Sequence, residues 1–162
     1  MATYKRFEEL PVWQAAIELA VKTYSLTRKP EFRGHRSLCD QIERAAVSVS
    51  NNIAEGFERG TTQDLLKFLY IARCSAGEVR SMLCLMEKIE NFGNLKSEIS
   101  DLKSCAEGIS RQIRGWADSL QNSGIAGQRY LNDQERKMEQ SRKEREEFLE
   151  FLRKGVRNEP GE

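Results

Sequence analysis

The chain has 162 residues, enough for one domain with an appendage, and only 3 of them are proline and 11 glycine. With 39% hydrophobic and 31% charged residues, this composition favours a soluble helical protein with long elements and a modest core. A formal net charge of +1 excludes a surface that attracts nucleic acid everywhere, so such binding requires a local basic cluster or a patch repeated in an oligomer.

The first predicted helix begins at Pro11, because a first helical position does not use the N–H that proline lacks. It ends near Arg28 or Lys29, since Pro30 disfavours helix in the residue before it. Apolar residues at three- and four-residue steps form its main stripe: Leu10, Trp13, Ile17, Val21 and Tyr24. Val12, Ala16 and Leu19 broaden that stripe, so we expect this helix to contact more than one neighbour.

The second predicted helix starts near Ser37, which resembles an N-cap with Asp40 three residues later, and stops at Gly60. One face is apolar and consists of Leu38, Ile42, Ala45, Val49, Ile53 and Gly56. A polar stripe runs beside it and consists of Arg44, Ser48, Asn51, Glu55 and Arg59. We interpret this stripe as a contact with another helix or with a neighbouring subunit.

Thr61 and Asp64 predict the cap of a third helix, directly after a short turn. That helix carries Leu65, Phe68, Leu69, Ala72, Ala76, Val79, Leu83, Met86 and Ile89. A fourth helix follows the turn 91–94, with a heptad seam of Ile99, Leu102, Ala106, Ile109, Ile113, Trp116 and Leu120. Gly108 and Gly115 lie within this helix. Either a neighbouring helix approaches closely at these glycines, or the helix simply tolerates them. The predicted fold is all-α, an antiparallel up-down four-helix bundle.

The predicted domain organisation is a bundle over residues 1–121, a linker over 122–128 and a charged C-terminal helical extension over 129–162. The last segment has as many basic as acidic residues, and its large apolar residues cluster at 148–152. We interpret it as a largely solvated helix with an apolar tip, or as a partly disordered tail.

Neither a metal nor another cofactor is expected. There is no C-x-x-C pair and only one histidine, so the ligands of a zinc site are missing. We interpret the cysteines as reduced, packed thiols of a cytoplasmic protein: Cys39, Cys74, Cys84 and Cys105. No apolar run approaches the ~20 residues of a membrane span, and the N-terminus lacks the apolar core of a signal peptide.

Two groups of residues are candidate sites. The first is a basic loop that is a candidate for phosphate contacts or is simply solvated: Arg28, Lys29, Arg33, His35 and Arg36. The second is a predicted structural hydrogen-bond network: Arg44, Asn51, Asn52, Glu55, Ser75 and Glu78. Because paired carboxylates can perform acid–base catalysis, an alternative interpretation is a hydrolase that uses Glu55 and Glu78. Since no phosphate loop, nucleophile elbow or metal motif appears, we expect no enzyme.

Four stretches of the chain resemble a known family. They are 7–16, 41–46, the sequence Asn-Asn-Ile-Ala-Glu-Gly at 51–56, and 68–78. Over residues 5–121 the chain resembles the four-helix-bundle proteins of 23S ribosomal-RNA intervening sequences. That family is similar to the accessory variability proteins of diversity-generating retroelements. Glu43 departs from the usual basic residue of the family, and Cys74 departs from its usual glycine.

The resemblance implies a homopentameric barrel of four-helix bundles that binds RNA or DNA through a basic surface. It also implies a reverse transcriptase as partner during mutagenic reverse transcription. From it we expect a non-catalytic, nucleic-acid-binding adaptor. The alternative is a purely structural self-assembling protein, encoded in an rRNA intervening sequence, with no nucleic-acid role. Near-neutral net charge favours that alternative, and Glu43 lowers the positive charge of the surface further.

Overall fold

The computed structural model describes residues 4–122 and 140–150, and the regular elements within them are all helical. Three short 3-10 turns cover Phe7–Glu9, Pro30–Phe32 and Glu90–Leu95. The four long helices are α1 (Pro11–Thr27), α2 (Arg36–Glu58), α3 (Thr62–Met86) and α4 (Lys96–Gln121). The all-α prediction is therefore confirmed.

Two of the predicted helix starts follow local sequence signals, and a third does not. Pro11 opens α1, and the Thr61 hydroxyl caps α3 by accepting a hydrogen bond of 3.1 Å from the backbone N–H of Asp64. The predicted cap at Ser37 is wrong, because α2 already begins at Arg36 and no side chain caps it. The backbone carbonyl of His35 accepts the first hydrogen bonds of α2, so the helix starts before Ser37 is reached.

The four long helices surround one common core. α1 packs against α2 and α4, and α3 packs against the same two helices, with the most extensive contact between α2 and α3. The largest fully buried side chains come from all four helices and from the last 3-10 turn: Phe92, Leu19, Leu26, Ile42, Ile53, Leu65, Leu69, Leu83, Met86, Ile99, Ile109 and Ile113. Most of the predicted apolar faces of α2 and α3 lie in this core, but Phe68 is only half-buried, and Ile89 lies beyond the end of α3 at Met86.

α1 is rotated relative to the sequence-based expectation. The buried residues of its inner face are Val12, Ala16, Leu19, Ala20, Thr23, Leu26 and Thr27. Ile17, Val21 and Tyr24, which were predicted as part of the main stripe, are exposed. The buried set also recurs at steps of three and four, so it too lies on one face of the helix. The buried Thr23 hydroxyl is satisfied by donating to the carbonyl of Leu19 over 2.8 Å.

The heptad seam of α4 is confirmed over most of its length and shifts at its end. Ile99, Leu102, Ala106, Ile109 and Ile113 are buried, whereas Trp116 and Leu120 are only half-buried. Ala117 is fully buried in their place. A straight helix of 3.6 residues per turn drifts away from a strict seven-residue repeat, and the next residue therefore turns into the core.

Contacts between Cα atoms divide the chain into the units Met1–Gly127 and Gln128–Glu162. In the second unit the described residues 140–150 are helical and exposed. The predicted linker after residue 122 and most of the predicted C-terminal segment lie outside the described residues. Within the part that is described, no helix combines the length and the hydropathy needed to cross a bilayer.

Candidate nucleic-acid interface

The basic loop between α1 and α2 is a packed structure. Its 3-10 turn places Phe32 in the interior, with its ring centroid 4.5 Å from that of Phe92 in the turn before α4. The Asn91 amide donates to the backbone carbonyl of Glu31 and joins the two turns a second time. Gly34 has a φ of 88°, a left-handed conformation that a glycine adopts without strain. The basic side chains therefore project from an ordered end of the helical unit.

Three of the five predicted phosphate-binding residues are exposed arginines. Arg28 lies at the end of α1, with its Cζ atom 6.0 Å from the ring centroid of Tyr24. Arg33 is exposed, and its side chain has no hydrogen-bond or ion-pair partner among the described residues. The Arg36 side chain is 95% exposed, with its Nε atom 4.0 Å from a carboxylate oxygen of Asp40. Such a weak, solvated ion pair leaves the guanidinium available to phosphate.

The other two predicted residues make structural contacts. The Lys29 amine lies 2.5 Å from a carboxylate oxygen of Glu98, so this pair links the loop to α4. The ring of half-buried His35 packs against Phe92, with 5.1 Å between the ring centroids. The structure thus brings all five residues to one end of the unit, but it leaves chiefly the three arginines for a ligand.

The predicted polar network joins α2 to α3 through only some of its members. Asn52 donates to the Ser48 hydroxyl over 3.0 Å, and the Ser48 and Ser75 hydroxyl oxygens are 2.9 Å apart. Ser75 in turn donates to the carbonyl of Ile71 over 3.2 Å. The single hydroxyl proton of Ser75 is used on Ile71, so the consistent direction is for Ser48 to donate to Ser75. This relay satisfies the buried Ser75 hydroxyl and ties the two helices together.

Four predicted members of the network lie outside this relay. Arg44, Asn51 and Glu78 are exposed, and their side chains have no hydrogen-bond or ion-pair partner within the described residues. Glu55 is exposed and accepts a hydrogen bond of 2.6 Å from Arg59 one helical turn later. An ion pair from Arg44 to Glu55 or Glu78, which a shared network would allow, is absent from the described part of the chain. Residues eleven apart on one helix are ~16 Å apart, beyond the reach of an arginine.

Sequence reasoning missed several residues at the junction of α1 and α2. Half-buried Glu43 accepts a hydrogen bond from the Thr27 hydroxyl and so fastens the end of α1 to α2. Tyr24 was predicted as part of the main apolar stripe of α1, yet it is 37% exposed and lines a groove shared with α2. No local pattern reveals either contact, because the partners lie on different helices.

The cysteines separate into two environments. Cys39 and Cys105 are half-buried, and burial raises the pKa of both thiols. Cys74 and Cys84 are exposed, so the expectation of packed thiols is wrong for these two. All four are free, and among the described residues no three His, Cys, Asp or Glu side chains are grouped to hold a metal ion.

The comparison with protein families assigns most of this helical unit to one known group. A family model described as "23S rRNA-intervening sequence protein" matches residues 8–115, two thirds of the chain. In a search of curated proteins, none matches the chain. The matched range contains the basic loop, the Ser48–Ser75 relay and most of α4.

Proposed function

The chain belongs to the 23S rRNA-intervening sequence protein family, and on this premise we propose that it is a non-catalytic, homo-oligomeric adaptor that binds RNA or DNA. The observation that carries the proposal is the end of the helical unit where Arg28, Arg33 and Arg36 are exposed on an ordered loop. Planar guanidinium groups bind phosphate oxygens through paired hydrogen bonds. Phosphate contacts of this kind give affinity without reading sequence.

The helical arrangement that we propose is an antiparallel up-down four-helix bundle. In α2 and α3, Arg59 lies over Phe68 near the connecting turn and Ser48 meets Ser75 further from it. A residue of α2 near the turn contacts a residue of α3 near the turn, and a residue of α2 further from it contacts one of α3 further from it. This matching order is that of two antiparallel helices. Pairs between α3 and α4 follow the same order: Tyr70 with Gln121, Arg80 with Glu107, and Glu87 with Lys103.

Self-association is the second part of the proposal, and a homopentamer is the form that the family resemblance implies. Val21 on α1 is 59% exposed and Leu85 on α3 is 51% exposed, the largest values among the large apolar residues of the four helices. We assign these surfaces to contacts between copies of the chain. A ring of copies repeats the three arginines and so compensates for a net charge of only +1.

A reverse transcriptase is the protein partner that we propose, on the strength of the resemblance to retroelement accessory proteins. The test is co-purification of the full chain with a reverse transcriptase encoded beside its gene. Retention of the enzyme by the wild-type chain supports this partner. If the enzyme elutes separately from the chain at low ionic strength, the reverse transcriptase is excluded as a partner.

The test of nucleic-acid binding is a salt titration with labelled RNA and DNA. We expect the logarithm of the association constant to fall linearly with the logarithm of the salt concentration. Each phosphate contact contributes ~0.7–0.9 to the steepness of that slope. Replacing Arg28, Arg33 and Arg36 together by glutamine is expected to weaken binding at least about tenfold and to flatten the slope by about 2–3. Fluorescence anisotropy measures both quantities.

The matched control is a chain in which Arg6, Arg111 and Arg114 are replaced by glutamine. These arginines are exposed, and the variant loses the same number of positive charges. We expect it to retain most of the affinity, since the lost charges lie away from the loop. Equal losses in both variants would show a diffuse charge effect and would contradict a site at the loop.

The alternative function is structural self-assembly without a nucleic-acid role. The contacts of Lys29 with Glu98 and of His35 with Phe92 favour it, because they show part of the basic loop serving the fold. Absence of binding to RNA and DNA at low ionic strength, together with an oligomeric mass in light scattering, would establish this alternative.

A further inference from the structure

A groove of about 460 Å³ lies between α1 and α2, beside the basic loop. Its lining comes from both helices and consists of Tyr24, Arg44, Val47, Ser48, Asn51 and Asn52. An aromatic ring, a half-buried aliphatic side chain, a guanidinium, two amides and a hydroxyl thus converge on one space. Ligand sites typically combine apolar walls with a few convergent polar groups in this way.

Some polar side chains of the groove already have hydrogen-bond partners within the chain, and others do not. Ser48 is engaged by Asn52 and Ser75, and the Asn52 amide donates to the Ser48 carbonyl over 2.7 Å. Arg44 and Asn51 are exposed, with no side-chain partner in the described part of the chain. Their donors and the Asn51 acceptor are therefore free for a ligand.

These groups match the parts of a nucleotide. The Tyr24 ring, which has the Arg28 guanidinium over one face, and the apolar Val47 side chain suit a planar base, since bases stack on aromatic side chains whatever their sequence. The amide of Asn51 offers a donor and an acceptor to a base edge, and Arg44 offers a fork to a phosphate. A cationic ligand is disfavoured by Arg44 and by Arg28, which lies 6.0 Å from the Tyr24 ring.

We propose that this groove holds one unpaired base of a single-stranded nucleic acid, stacked on Tyr24, with an adjoining phosphate bound by Arg44. The base must be unpaired and unstacked, because a duplex keeps the faces of its bases covered. Arg28 lies one helical turn after Tyr24, so the strand continues from the groove to the basic loop. This inference rests on the proposed nucleic-acid binding and adds that bases, as well as phosphates, are held.

The experiment compares two labelled single-stranded DNA probes of about 15 nucleotides, near the upper end of known site sizes. One carries bases, and the other is an abasic backbone of the same length. We expect the full-length protein to bind the first about tenfold more tightly at low salt. Tyr24→Ala is expected to abolish that difference and to leave abasic binding unchanged, whereas Tyr24→Phe retains it. Arg44→Gln is expected to weaken binding of both probes.

Tyr70→Ala is the matched control, because Tyr70 on α3 is 39% exposed and the exposure of Tyr24 is 37%. Circular dichroism verifies that each variant is folded, and light scattering verifies its mass. We expect Tyr70→Ala to bind both probes as the unmodified chain does.

Several results would overturn the inference. Equal affinity of the unmodified chain for the two probes, or unchanged discrimination in Tyr24→Ala, refutes base stacking while leaving phosphate binding at the basic loop intact. A changed oligomeric mass of Tyr24→Ala identifies the groove as a contact between copies and also refutes it. No binding of either probe refutes this inference, and if the salt titration also shows no binding of RNA, the proposed function is refuted with it.

Discussion

At the scale of single residues, Gly56 sets how closely α2 and α3 approach. A Cβ atom at this position would lie 2.7 Å from the Cβ of Phe68 and 3.3 Å from a methyl carbon of Leu65. The Cβ of Phe68 is fixed to its backbone, so a rotamer change cannot relieve the contact. The two helices would have to move apart, and the neighbouring core would lose packing.

We expect Gly56→Ala to destabilise the protein by up to about 2 kcal/mol. Overpacking of a core costs ~1–3 kcal/mol, and the better helix propensity of alanine returns ~1 kcal/mol. Urea unfolding measures the change. Gly77→Ala is the control, since a Cβ there meets nothing within 4 Å, and it should not destabilise the protein. Similar unfolding midpoints for both variants would contradict the close approach.

The thiols are a second feature of single residues. We expect Cys74 and Cys84 to react with a thiol reagent near neutral pH well before Cys39 and Cys105. Burial raises the pKa of the latter two, so fewer of their thiolates are present until the pH rises further. Colorimetric titration of the folded chain should show two fast thiols. A single rate for all four thiols would contradict the assignment, and Cys74→Ser or Cys84→Ser should each remove one fast equivalent.

At the scale of whole elements, α4 combines a buried core seam with two positions that lower the stability of the helix. Gly108 and Gly115 lie within it, and a Cβ at either position meets nothing within 4 Å. Of the two interpretations that the sequence left open, close helix approach is therefore wrong and tolerance is correct. Each glycine weakens the helix through its backbone entropy without a packing gain.

Gly108→Ala and Gly115→Ala are each expected to stabilise the protein by about 1 kcal/mol, because alanine lowers the entropy lost on helix formation. Thermal unfolding followed by circular dichroism measures the gain. Ala106→Gly in the same helix is the contrasting variant, since Ala106 is fully buried, and it should destabilise the protein. A loss of stability in the two alanine variants would reveal a contact at those positions that the structure does not contain.

At the scale of the whole molecule, the proposal depends on surfaces that one copy leaves exposed. Val21 and Leu85 lie outside the core, on helices whose buried faces point the other way. A charge at either position therefore costs little within a single chain. Between copies, the same charge would be buried without a partner, at a cost of several kcal/mol.

We expect Val21→Glu and Leu85→Glu to reduce the oligomeric mass in light scattering without loss of helical circular dichroism. Ser104→Glu on α4 is the control, because Ser104 is exposed and already polar and lies on a helix to which no contact between copies is assigned, and it should keep the mass of the unmodified chain. An unmodified chain with the mass of one copy would refute self-association altogether.

By itself the sequence determined the all-helical fold, the start of α1, the cap at Thr61 and the inner faces of α2, α3 and most of α4. These features depend on helical periodicity and on capping within a few residues, which any stretch of chain carries locally. Only the tertiary structure decided that Tyr24 faces outward beside Arg44 and that Lys29 is held by Glu98. Those contacts join residues far apart in the chain. They depend on how each packed helix is rotated about its axis, and no local pattern specifies that rotation.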